Sequence, residues 1–235
     1  MEPLRHAIFD LDGTLVDSLA GITWSVEEAL AACGLPPLQR DLRPIIGPPI
    51  RAILGAVAGL ADSPELDGLE QAFRASYDAE GWRKTTCYAG VPDLLWRLLT
   101  SDIGLWVVTN KPSRAARRTL RQLKIDDFFQ EVVSPDSRIP PYVSKREALL
   151  DLLSRHALSS GECLLVGDTA EDCQAAAAAG MACAIVAHGY GRGLPAELPG
   201  DCFRVTGWDG IEKALAGEPA IAPERAGKQE VKAHD

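Results

Sequence analysis

Three short apolar runs in this chain each stop at a polar cluster, and that pattern narrows the possible folds more than any other feature. Residues 6–9 run into Asp10 and Asp12, residues 105–108 into Thr109-Asn110-Lys111, and residues 163–166 into Gly167-Asp168. Unbroken apolar runs of this length are typical of strands buried on both faces. Helical patterns separate them at 91–99, 113–123 and 145–156 and in the alanine-rich segment after Asp168, with further short strands at 131–134 and 182–186. Such alternation predicts an α/β fold: a doubly wound, Rossmann-like parallel sheet with right-handed crossovers and helices on both faces. In sheets of this kind ligands bind beyond the carboxyl ends of the strands, which is where all three clusters fall.

One stretch breaks the alternation. Leu19, Ile22, Val26 and Leu30 recur at helical spacing before Gly34, Pro36 and Pro37 end the segment. Ile50, Ile53, Leu54 and Val57 mark a short helix, and Leu66, Leu69, Phe73 and Tyr77 a longer one that stops near Gly81. Residues 19–82 are therefore expected to form an inserted, all-helical cap, with 1–18 and 83–216 as the core. Residues 217–235, rich in Ala, Glu, Lys and Pro, are expected to be disordered. In the helix at 145–156, Leu149, Leu150, Leu152 and Leu153 are expected to face inward.

Charge and cysteine usage exclude several classes. The formal net charge is -9 with no long basic run, which argues against a nucleic-acid partner. No apolar segment approaches the roughly 20 residues needed to span a bilayer. The N-terminus lacks the pattern of a secretory signal, so a cytoplasmic location is expected. Six cysteines are scattered without a C-x-x-C pair. They are expected to be reduced, mostly buried small hydrophobes rather than a zinc site or a disulfide framework.

Asp10 and Asp12 carry the chemistry. One residue separates them and the flexible Gly13 follows, so two carboxylates crowd one place. Unpaired, one of them would take up a proton; a bound cation would keep the first ionised and nucleophilic. A plain acidic turn after a strand is the other reading that these residues alone leave open.

D-L-D-G-T-L-V-D-S at 10–18, T-N-K at 109–111 and G-D-T-A-E-D at 167–172 resemble, in this order and separation, the haloacid dehalogenase superfamily. The likeness is to its phosphoglycolate-phosphatase-like branch with a helical cap. It implies a magnesium-dependent phosphatase that hydrolyses a small organic phosphate, phosphoglycolate first among the candidates, through an aspartyl-phosphate. By the same resemblance Asp10 is the nucleophile and Asp12 the general acid and base. A carboxylate at Asp12 separates phosphatase-type members from carbon–halogen hydrolases. Thr109 would bind the phosphoryl group, with Gly13 and Asn110 as further substrate contacts. The implied Mg²⁺ ligands are Asp10, the Asp12 backbone carbonyl, Asp168 and Asp172, the last either through water or as the partner of the catalytic lysine. Glu171 ranks below Asp172.

The family's lysine usually stands in a K-P-x-P context, which residues 140–145 lack. Lys145, which heads a K-x-x-x-L pattern found in other members, takes the role here, with Arg138 and Arg146 as second choices. Arg43 and Arg51, in a segment resembling the cap loop of this branch, are candidates to meet a substrate carboxylate or second phosphate. The implied partner is a small phosphorylated metabolite, bound by a monomer or homodimer. A phosphosugar mutase and a non-catalytic phosphate-sensing or partner-binding protein are the alternatives. Phosphonate hydrolysis is disfavoured, because residues 19–82 contain no lysine for a Schiff base.

Overall fold

The computed structural model describes residues 3–191 and 193–218. In chain order the elements are β1 (His6–Phe9), β2 (Val16–Asp17), α1 (Leu19–Ala32), α2 (Ile50–Ala58), α3 (Pro64–Ala79), β3 (Thr86–Cys87), α4 (Val91–Thr100), β4 (Gly104–Val108), α5 (Ser113–Gln122) and β5 (Glu131–Val133). They continue with α6 (Lys145–Arg155), β6 (Cys163–Gly167), α7 (Ala170–Ala178), β7 (Ala182–Val186), β8 (Cys202–Val205) and α8 (Trp208–Leu215). Six strands form one parallel sheet in the order β5-β4-β1-β6-β7-β8. The strand β8 and the helix α8 were not anticipated from the sequence.

Alternation of side chains along each strand divides the core. Ala7, Phe9, Leu105, Val107, Leu164 and Val166 face α4, α5 and α8, while Ile8, Trp106, Val108 and Leu165 face α6 and α7. The central strands β4 and β6 are buried along their whole length, which explains their unbroken apolar sequence. On α6, Leu149, Leu152 and Leu153 are buried, but Leu150 is exposed, contrary to expectation. A helix turns about 100° per residue, so the residue after Leu149 leaves the face that 149, 152 and 153 share.

Between β2 and β3, which pair antiparallel, the described chain is helical with intervening turns. Helices α1, α2 and α3 share an apolar cluster of their own, including Val26, Leu30, Leu54 and Leu69, and Ala115 and Tyr190 join it from the sheet side. Where α1 crosses the turn Gly81–Lys84, Gly21 meets the Gly81 carbonyl so closely that a Cβ would overlap it. The expected tail falls almost wholly on residues 219–235, outside the described residues. No helix among the described residues is long and apolar enough to cross a membrane.

Gly21→Ala forces α1 away from this turn and is expected to destabilise the protein by ~1–3 kcal/mol. The check is a urea unfolding curve: a lower midpoint at unchanged slope supports the close approach, and an unchanged midpoint contradicts it.

Candidate active site

Asp10 is the first residue past β1, and its backbone N–H still donates to the Val166 carbonyl of the neighbouring strand at 2.8 Å. Its side chain therefore leaves the sheet at the carboxyl edge, only 7% exposed. Lys145, the first residue of α6, brings its ammonium to 3.0 Å from Asp10 Oδ1 and 2.6 Å from Asp172 Oδ1. Ser144 caps that helix by accepting from the Glu147 N–H, which sets the direction in which the lysine leaves. The other oxygen of Asp172 accepts from the Thr169 N–H at 3.0 Å, the Thr169 hydroxyl at 2.7 Å and the Asp168 N–H at 3.2 Å. One carboxylate thus caps α7 and grips the lysine, so Asp172 stands as the partner of Lys145. Asp168, fully buried, accepts from the Thr14 hydroxyl at 3.1 Å and the Tyr190 N–H at 2.7 Å.

Oxygens of Asp10, Asp168 and Asp172 lie within 4.8 Å of one another. Three buried carboxylates face a single ammonium, and Asp10 Oδ1 accepts no hydrogen bond despite its ion pair with Lys145. Burial pushes Asp10 up to about 7 against the pull of Lys145, and burial with the neighbouring charges of Asp10 and Asp172 pushes Asp168 up to about 8. Burial pushes Asp172 up as well, but Lys145 and Thr169 outweigh it and hold it below the ordinary carboxylate value. Lys145 stays firmly protonated, since Asp10 and Asp172 together overcome the cost of its burial. An all-oxygen cluster with excess negative charge fits a hard divalent cation such as Mg²⁺.

Asp12 turns elsewhere. Its two oxygens receive Lys111 Nζ at 2.9 and 3.1 Å, and the same ammonium donates to the Tyr77 hydroxyl of α3 at 2.7 Å. The side chain of Asp12 is outside the three-carboxylate cluster. Gly13, at φ +90°, lets the loop cross Asp168 and the Tyr190 ring, which a Cβ would strike. It backs the site rather than lining the cavity described next.

A cavity of about 420 Å³ opens between the sheet edge and helices α1 to α3. Asp10, Asp12, Thr109 and Lys111 form one end; Ile22, Ile50, Ile53 and Phe73 give it an apolar wall, and Arg74 and Arg114 also reach it. Thr109 is buried and accepts from the Lys111 N–H at 3.2 Å. Asn110 also lines the cavity and bridges three segments, donating to the Gly47 carbonyl at 3.1 Å and to Glu171 at 2.9 Å.

Several sequence candidates stand apart. Arg51 does not line the cavity; its guanidinium is engaged by Asp62, by Asp67 at 2.8 Å and by Glu70 at 3.0 Å. Arg43 lies over the Tyr190 ring, 5.7 Å from its centre, and is likewise off the cavity. Arg138 pairs with Glu147, and Arg146 is exposed on α6, so neither replaces Lys145. Sequence reasoning missed Lys111, Tyr77 and Tyr190. Lys111 had a signal, its place one residue beyond a polar strand end, but nothing local identifies its partners.

The pH dependence of stability follows from these shifts. Folded Asp10 and Asp168 hold protons more tightly than the ordinary value of 3.8, so between about pH 4 and pH 8 the folded state binds the extra protons and stability falls as pH rises. Asp172, shifted down, acts only at lower pH. The melting temperature of metal-free protein is expected to decline across this window, and Mg²⁺ to raise it more near pH 8 than near pH 5. Asp168→Asn should weaken both effects; a Mg²⁺ response undiminished in that variant would contradict the site.

The family described as haloacid dehalogenase-like hydrolase matches residues 7–186. The tyrosine-protein kinase PtkA of Mycobacterium tuberculosis is 39% identical over 192 residues, 81% of this chain and 65% of that protein. This chain therefore spans just under two thirds of that relative's length. A phosphoglycolate phosphatase of Pseudomonas putida is 34% identical over 203 residues, 83% of this chain and 74% of that protein. The crystal structure of a predicted phosphoglycolate phosphatase from Haemophilus somnus superposes with a TM-score of 0.80 at 26% identity, covering 91% of this chain and 99% of that one.

Proposed function

The chain belongs to the haloacid dehalogenase-like hydrolase family, and on that premise we propose that it is a magnesium-dependent phosphatase acting on an organic phosphate monoester. The observation that supports this best is Lys145, held between Asp10 and Asp172 with Asp168 alongside, at the end of a cavity large enough for a small metabolite. Asp10 attacks phosphorus and the ester oxygen leaves, so that one hard displacement becomes two easier ones. Lys145 neutralises the nucleophile and the incoming phosphoryl oxygens. Thr109 holds the phosphoryl group with its hydroxyl. Asp12 protonates the leaving oxygen and then takes a proton from the water that cleaves the aspartyl-phosphate. Bound Mg²⁺, held by Asp10 and Asp168 with the Asp12 carbonyl and Asp172 as further donors, would supply Lewis-acid neutralisation of phosphoryl charge.

Lys111 holds Asp12 in place at the end of the cavity, and its ammonium is tied in turn to Tyr77 of α3. Movement of the helical insertion, residues 19–82 in this reading, thereby bears on the acid-base residue. The cavity wall also speaks to substrate. Relatives named phosphoglycolate phosphatases make that two-carbon acid the first candidate. Isoleucines and Phe73 across about 420 Å³ favour a larger organic group with an apolar face. We place the enzyme in the cytoplasm, as a monomer or homodimer, with a small phosphorylated metabolite as its partner.

A second reading is transfer of a phosphoryl group to a tyrosine, favoured by the 39% identity to a protein named as a tyrosine kinase. Both readings share the attack by Asp10 and differ in the acceptor, water or a phenol. Incubation with γ-labelled ATP separates them: free phosphate marks hydrolysis, and acid-stable label on tyrosine marks transfer.

Phosphate release from a panel of esters is expected to require Mg²⁺, to stop with EDTA, and to fall at least about a thousandfold in Asp10→Asn. An aryl phosphate should have a higher kcat/KM than phosphoglycolate, and the reverse order would overturn the argument from the cavity wall. Lys111→Met is expected to lower kcat on the order of ten- to a hundredfold by freeing Asp12. Tyr77→Phe, which leaves that ion pair in place, should cost less. Equal losses in the two variants would show that the tie to α3, rather than the ion pair, sets the position of Asp12.

A further inference from the structure

Three of the six scattered cysteines meet in space. Cys173 lies on the inward face of α7, and Cys183 and Cys202 are register partners on the adjacent parallel strands β7 and β8. Their sulfurs lie within 4.8 Å of one another, and among the described residues no carboxylate or imidazole joins that group. Cys173 and Cys183 are buried, while Cys202 is half-buried and opens a route from solvent. The surroundings are apolar: Ala176 and Met181 belong to the same cluster, with Leu198 packed against it. Met181 stands two residues before Cys183 in sequence. The expectation of dispersed cysteines fails here because sequence separations of ten and nineteen residues conceal one helix-to-strand and one strand-to-strand contact.

We propose that Cys173, Cys183 and Cys202 form a binding site for a soft d¹⁰ metal ion, of which Cu(I) is the best fit. Thiolates select such ions over hard cations. Zn²⁺ takes four ligands in closed structural sites, whereas three sulfurs with no carboxylate or imidazole beside them among the described residues suit a three-coordinate ion. Metal–sulfur bonds of about 2.3 Å put three such sulfurs about 4 Å apart, so the thiols close by less than about 1 Å, within the reach of small χ1 rotations. Each sulfur that binds releases its proton to solvent, and the ion keeps its oxidation state. The site is separate from the carboxylate cluster, although Cys173 directly follows Asp172 in sequence.

The test is an anaerobic titration of the reduced full chain with Cu(I) against a chromophoric chelator of known affinity. One equivalent should be withdrawn from the chelator, with thiolate-to-copper absorption in the near ultraviolet and a rise in melting temperature. Cys202→Ser, at the half-buried position, should lower the affinity at least about a hundredfold, more than loss of an outer-shell partner costs. Cys183→Ala should do the same, with circular dichroism confirming that each variant is folded. Cys33→Ser, an exposed cysteine outside the group, should change nothing. Affinity retained in Cys202→Ser, affinity lost in Cys33→Ser, or no copper withdrawn by the parent chain would overturn the site.

Discussion

A single buried ammonium holds this site together. Lys145 is 4% exposed and lies between Asp10 and Asp172, and without it two carboxylates would stand unpaired in the protein interior beside Asp168. Leaving one partner of a buried pair without the other costs about 3–5 kcal/mol, so the lysine has a structural role whatever its chemistry. Asp172 binds it with one oxygen and caps α7 with the other. The start of α6, the start of α7 and the end of β1 are thereby fixed to one another by one set of charges. The negative groups still outnumber the positive one, so the cluster keeps an excess of negative charge.

A second ammonium does a different job. Lys111 joins Asp12 on the sheet edge to Tyr77 on α3, so Asp12 is linked to the helical segment through one side chain. Asn110 adds a parallel link from the same loop to Gly47 and Glu171. Both contacts are polar and lie beside the apolar wall of the cavity, where low local polarity strengthens them. The loop after β4 is therefore the joint between the two parts of the site: Thr109 lines the cavity, while Asn110 and Lys111 reach Gly47 and Tyr77 of the helical segment.

The same sheet places a second group of side chains on its other flank. Strand pairing sets Cys183 beside Cys202 without any sequence motif, and α7 lays Cys173 over them. Residues Asp172 and Cys173, adjacent on one helix, thus face a carboxylate cluster and a sulfur cluster respectively. Successive helical positions point about 100° apart, which is how one short helix serves two chemically distinct places.

Sequence alone determined the sheet-and-helix alternation, the helical insertion pattern and the polar residues at three strand ends, because each depends on local periodicity or on direct succession along the chain. The resemblance carried by its motifs also pointed to Asp10 and Asp168, and a separate K-x-x-x-L pattern pointed to Lys145. What only tertiary structure decided were the partners: Lys111 with Asp12 and Tyr77, Arg51 lost to three carboxylates, Asp172 divided between a helix cap and a lysine, and three distant thiols brought together. Apart from the cap on α7, those contacts join residues at least ten positions apart. Their geometry follows from strand order and from how α1 to α3 settle over the sheet edge, and no local pattern carries that information.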